Sequence, residues 1–214
     1  MSPILETVSE FATEPIGYTL AGSMLYGAFY GFLASSQQIC ADVFGRPELF
    51  GIIFASIAAS LGAASILNAR IVGPMGIRRV SHTALIGFVC FSTIHAAIAI
   101  SGRETLLSFT ILQAASVACF GLAASNFSAL AMEPVGHLAG TASSIQGFIS
   151  TVSGALLGIF IGQSLDGSTV PLTVGFCLLG TASVMIVLIA EGRLFRPPDP
   201  IPSDPQIELH SPEA

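Results

Sequence analysis

The chain contains no lysine, and its seven basic residues are all arginine. Charged residues of both signs make up only 9% of the 214 residues, against about 25% in soluble domains. A soluble chain of this length could not cover its surface with so few charges, so the composition argues against a water-soluble globular domain. No basic patch is present, and nucleic acid is not an expected partner. The four cysteines, Cys40, Cys90, Cys119 and Cys177, lie far apart and form neither a CxxC nor a metal-ligand spacing. Each sits in or beside a different apolar segment, which suits buried free thiols and does not suggest a disulfide framework. Catalytic signatures are missing too. No GxSxG or Ser/His/Asp set stands in a plausible context, and there is no HExxH, Walker A or GxGxxG loop. No enzyme activity, cofactor or metal is therefore expected. Residues 1–16 carry Glu6, Glu10 and Glu14 but no Lys or Arg. They lack the basic start and apolar core of a secretory signal and read as a polar tail.

What the chain has is long apolar runs. Apolar residues make up 52% of it, and its mean hydropathy is +0.80. Crossing a hydrocarbon core of about 30 Å takes about 20 helical residues. Six segments meet that length, at approximately 17–38, 49–69, 82–101, 105–130, 138–163 and 171–190. Every full charge falls between them or in the tails, apart from Arg70 and Glu191 at helix ends. That partition is expected, because a charge at mid-bilayer costs at least ~2.5–3.5 kcal/mol on insertion scales. Segment length and the lack of period-two alternation favour helices over strands.

The stretch NFSALAMEPVGHLAGTASSIQGF, residues 126–148, ends one apolar helix and begins another. Pro134 lacks a backbone donor and biases Glu133 away from helical geometry, while Gly136 gives freedom for a turn. A hairpin of two spanning helices follows. With six spans, both tails share a side. That side collects Arg70, Arg78, Arg79, Arg193 and Arg196, and the other holds Arg46 and Arg103. Five against two places both termini in the cytoplasm. The C-terminal segment 192–214 is proline-rich, acidic and free of aromatics beyond Arg196, as a disordered tail would be. Three helices followed by three are also compatible with an inverted repeat, although residues 17–101 and 105–190 share no strong identity.

The polar residues inside the spans are the candidate functional groups. Tyr26, Tyr30 and Gln37 lie close to one face of the first helix, with Ser36 and Gln38 near its end. Gln113 and Asn126 mark the fourth helix, and Gln146 the fifth. Such groups can line a cavity for an amphiphilic ligand, or they can make interhelical hydrogen bonds worth about 1–2 kcal/mol or less. Gly51, Ala55, Ala59 and Ala63 on the second helix repeat every four residues, as do Ser150, Gly154, Gly158 and Gly162 on the fifth. Both stripes predict close helix–helix approach. His95, in the third helix, could relay a proton, contact a ligand or donate one structural hydrogen bond, with no carboxylate inside a span to pair it. His82 and His137 are expected to be solvated at the membrane boundaries. The sixth helix is nearly featureless and is expected to face lipid.

At this point the residues match a family. ALAMEPVGHLAGTASSIQGF resembles the link between the tenth and eleventh helices of major facilitator drug-efflux transporters of the Bcr/CflA type, with Ala131, Pro134, Ala139, Gly140, Ala142, Ser143 and Gly147 fitting the pattern. The run from Phe50 looks like that family's eighth helix and the loop after it, with Asn68, Arg70, Gly76 and Arg78 in place, Gly73 and Arg79 fitting loosely and the acidic residue missing. ILETV, residues 4–8, weakly resembles the LPETL that often follows the sixth helix.

The resemblance implies an all-α membrane protein of six transmembrane helices, one half of a major facilitator fold, corresponding to the C-terminal half. It implies proton-coupled drug or multidrug efflux across a bacterial inner membrane. The first and fourth helices would line the substrate path, the second and fifth would face the other half, and the third and sixth would sit outside. Tyr26, Tyr30, Gln113, Asn126 and Gln146 are the implied cavity residues, and Arg70, Arg78, Arg79 and Glu133 the cytoplasmic loop or gate residues. The expected partners are the lipid bilayer, a small amphiphilic substrate, and a missing N-terminal half or a second copy. In such antiporters the coupling carboxylate usually lies in the N-terminal half, and no acid within a span here replaces it. The alternative is a non-transporting remnant or an interaction subunit that docks on another membrane protein through its small-residue stripes.

Overall fold

A computed structural model describes residues 3–133, 139–192 and 194, with side chains from Pro15 onward. The expected tight break over 134–138, with His137, and all but two residues of the segment 192–214 lie outside the described residues. The protein is an all-α membrane protein, with no strand among the described residues. Its six long helices are α1 (Pro3–Gln38), α2 (Phe50–Met75), α3 (Ile77–Ile100), α4 (Leu106–Met132), α5 (Ala139–Gln163) and α6 (Val170–Glu191). Five of them, α2 to α6, are long and apolar enough to cross a membrane.

α1 is more polar than the others because it sits at the centre of the bundle. It packs most extensively on α5, then on α6 and α4. Tyr18, Ala21, Leu25, Ala28 and Phe32 are buried along it. Its hydroxyls are buried too, and they are satisfied within the helix: Thr19 donates to Pro15 O at 2.8 Å, Ser23 to Thr19 O at 2.8 Å and Ser35 to Gly31 O at 2.7 Å. A centre shielded from lipid can carry such residues; a lipid-facing helix cannot. α1 also begins at Pro3, so most of the segment expected as a polar tail continues the helix.

The connections follow local chemistry. α1 ends in a π-helical turn, Ile39–Val43, and a 3₁₀ turn, Pro47–Leu49, before α2. Between α2 and α3 the sequence predicts a loop over residues 70–81; the structure has a joint of one residue. Gly76 takes φ +83°, a conformation open to glycine, and its N–H caps Val72 O at 2.9 Å. α4 begins with a capping box. Ser108 N donates to Thr105 Oγ1 at 3.2 Å, and Thr105 N donates to Ser108 Oγ at 2.9 Å.

The glycines of the α5 stripe face α1. A Cβ on Gly158 would lie 2.6 Å from Tyr30 Cβ and 2.9 Å from Gly31 N, and one on Gly162 would lie 3.3 Å from Ala34 Cβ. The close approach expected of that stripe is therefore realised inside the chain. Docking on another protein through that stripe would need it on the surface; the structure instead packs it on α1. The α2 stripe differs: Gly51, Ala55, Ala59 and Ala63 are all exposed, and α2 buries Ile53, Ile57 and Ala64 instead. α2 and α5 bury the smallest shares of their spans. α6 is less bland than expected. It exposes Leu178 and Ile189 but buries Leu172, Phe176, Ser183, Val187 and Glu191 against α1 and α3.

Candidate functional site

The i, i+4 ridge of α1 carries Tyr18, Gly22, Tyr26 and Tyr30 toward α4 and α5. These four residues form one wall of a cavity of about 270 Å³. Ala124, Phe127 and Ser128 of α4 and Ser143, Gln146, Ser150 and Thr151 of α5 supply the others. The glycines of α5 seat the tyrosines, since a Cβ on Gly154 would stand 3.2 Å from the Tyr30 ring. Tyr26 packs edge-on against Phe120 at 5.3 Å and tilts against Tyr30 at 6.0 Å. Gln146 is held by Ser128, whose hydroxyl donates to Oε1 at 3.1 Å, and the Ser23 and Ser150 hydroxyl oxygens lie 3.4 Å apart. The lining thus offers hydroxyls, an amide and aromatic faces, with no charged side chain among the described residues. Such a surface can orient an uncharged solute by hydrogen bonds while burying its apolar parts.

The cavity brings together Tyr26, Tyr30 and Gln146 from the sequence reading. Gln113 and Asn126 lie elsewhere. Asn126 forms a reciprocal amide pair with Asn68 of α2 at 2.9 and 3.2 Å. Gln113 is fully buried, and neither atom of its amide has a hydrogen-bond partner among the described residues. Arg70 and Arg79 are exposed near the α2–α3 joint, and Glu133 is exposed at the end of α4.

Arg78 belongs to a buried cluster at the same end of the bundle. Its guanidinium lies 3.5 Å from Glu191 Oε1, and His82 Nε2 lies 3.5 Å from Glu191 Oε2. Both contacts are longer than a good hydrogen bond. The short contact to the carboxylate comes from Tyr18, whose hydroxyl donates to Oε1. Tyr18 is also 3.3 Å from His82 Nε2, with the two rings stacked at 6.3 Å. The Glu191 and His82 side chains are wholly buried, so the expectation that His82 is solvated is overturned. The helices bring it under Tyr18, which itself packs on Phe127, a covering no local pattern reveals.

At the opposite end, His95 Nε2 lies 2.6 Å from Glu104 Oε1, and Thr169 Oγ1 donates to Glu104 Oε2. The carboxylate that meets His95 lies outside the spans, so the apolar runs alone do not reveal it. Glu104 precedes α4 and folds inward from the connection, reaching 6% side-chain exposure. The contact is close but lacks the alignment of a good hydrogen bond. Sequence reasoning also missed Tyr18, whose signal was available: it stands two i+4 steps before Tyr26.

No protein-family model matches the chain, and no solved structure matches it. A curated protein of Haemophilus influenzae, described as a bicyclomycin resistance protein homolog, is 27% identical over 179 residues. The alignment covers 78% of this chain and 42% of that protein, so the chain spans less than half the length of the relative it matches. The apolar helices mark a multi-pass membrane protein, similar in sequence to part of that relative.

Proposed function

We propose that the chain is one six-helix half of a drug-efflux transporter of the major facilitator kind, and that the cavity between α1, α4 and α5 is its share of the solute path. The observation that carries the reading is the lining: tyrosines, hydroxyls and Gln146 converge on one space between α1, α4 and α5. Its uncharged chemistry suits small, neutral, amphiphilic solutes. The similarity to a bicyclomycin resistance protein homolog supports the same class. Alternating access rocks one helical unit against another around a midplane site, so this unit works with an N-terminal half or a second copy. Export is proton-coupled. The protein resides in a bacterial inner membrane, with the α2–α3 joint and both termini on the cytoplasmic side, as the arginine distribution favours.

The exposed small-residue face of α2 also suits a subunit that docks on another membrane protein without transporting anything. One experiment separates the readings. Cells carrying the gene, or its Tyr26→Ala/Tyr30→Ala variant at equal membrane abundance, are challenged with bicyclomycin. Export predicts protection by the wild type and its loss in the variant. A docking subunit predicts no difference between the two.

A further inference from the structure

Tyr18 belongs to two sites at once. Its ring lines the solute cavity, and its hydroxyl hydrogen-bonds the buried carboxylate of Glu191. We propose that Tyr18, His82, Arg78 and Glu191 form a proton-binding site, and that Tyr18 carries its protonation state to the cavity wall. The use of that proton for transport rests on the exporter reading; the proton site itself does not.

Tyr18 has one O–H, and Glu191 Oε1 takes it. The 3.3 Å contact to His82 can then only be Nε2–H donating to the phenol oxygen. Arg78 balances the carboxylate from 3.5 Å. A proton arriving from water binds the carboxylate of Glu191. The acceptor that held Tyr18 then becomes a neutral acid, and a hydrogen bond to a neutral acceptor is roughly half as strong as one to a charged acceptor. The hydroxyl is released toward the cavity, where it can serve a solute. In the reverse direction, a solute that takes the Tyr18 hydrogen withdraws a donor from Glu191 and favours proton uptake there. The coupling is reciprocal by linkage.

The surroundings leave Glu191 as the proton acceptor. Among the described residues, the groups facing it are Arg78 and His82 from α3 and Tyr18 from α1. Among the described residues, Arg79 on α3, Arg70 on α2 and Glu133 on α4 are the other charged groups toward this end, and all three are exposed. Among the described residues, Glu191 is the one carboxylate buried there.

The chain carries its own probe. It has three tyrosines and no tryptophan, and all three tyrosines line the cavity. A carboxylate accepting a phenol's hydrogen quenches its emission. The experiment follows tyrosine fluorescence of the full chain, reconstituted in lipid, through a pH titration and needs no solute. Acidification is expected to raise the wild-type emission in one reversible transition. Glu191→Gln should abolish that transition, and Glu104→Gln, at the far end, should keep it. Tyr18→Phe retains the ring packed on His82 and Phe127, so it tests the relay even if Glu191→Gln fails to assemble; it too should lose the transition. Wild-type emission that does not change with pH, or a transition that survives Tyr18→Phe or Glu191→Gln, overturns the proposal. If this experiment fails while cells still export bicyclomycin, the proton site falls and the exporter reading stands.

Discussion

His95 and Glu104 meet at 2.6 Å, with both side chains buried, and the contact ties the end of α3 to the connection that starts α4. Thr169 donates to the other carboxylate oxygen and brings in the start of α6. Removing the imidazole leaves a buried carboxyl oxygen short of its neighbour, typically at a cost of about 1–3 kcal/mol. His95→Ala should therefore lower the thermal stability of the purified chain by an amount of that order. His95→Ala/Glu104→Gln should cost less than the sum of the single changes. Additive losses would mean that the two groups do not interact.

The crossing of α1 and α5 leaves no room for a methyl group at Gly158, where a Cβ would stand 2.6 Å from Tyr30 Cβ and 2.9 Å from the Gly31 backbone. Gly158→Ala should force the helices apart, at a cost of about 1–3 kcal/mol, and reduce the amount of protein in the membrane. Gly147→Ala, with nothing within 4 Å of its Cβ, is the matched control and should behave as wild type. Equal membrane levels for the two would contradict the packing.

Gln113 buries an amide with no partner among the described residues. An unsatisfied buried polar group costs about 1–3 kcal/mol, so Gln113→Met, close in volume, should raise the unfolding temperature. If that gain comes with lost export, the amide serves the solute path; a lower unfolding temperature would show that the amide is satisfied in place.

Asp166, in the connection before α6, accepts hydrogen bonds from the Ser168 hydroxyl at 2.6 Å and the Ser168 N–H at 3.0 Å. The hydroxyl, more than the N–H, holds the carboxyl below its usual range. A depressed carboxyl stabilises the fold above its unfolded value, and that contribution fades as pH falls through the lower, folded value. Ser168→Ala should move the Asp166 titration, followed by carbon NMR, up toward the ordinary carboxylate range. An unchanged midpoint would remove Ser168 as the cause.

How far the fold was readable varies by element. The spanning helices from α2 to α6 were legible because length and apolarity decide them. The joint at Gly76 was not, since glycine, proline and arginines over 70–81 read equally as a loop or as two helices meeting at one glycine. The small residues of α5 announced a close approach, but only the folded bundle shows α1 as the partner. Tyr26, Tyr30 and Gln146 could be picked out as polar groups in apolar runs. Glu104 and Glu191 could not be matched with His95 and His82, because those pairings join residues on different elements.

The central claim is that the cavity holds a solute while it crosses the membrane. Everted membrane vesicles from cells carrying the gene, given labelled bicyclomycin and an imposed proton gradient, test it directly. Gradient-dependent accumulation in wild-type vesicles, lost in Tyr26→Ala/Tyr30→Ala vesicles with equal amounts of protein, is the predicted result. Accumulation unaffected by the tyrosine changes would contradict the assignment of the cavity, and no accumulation beyond that of vesicles lacking the gene would contradict the exporter reading itself.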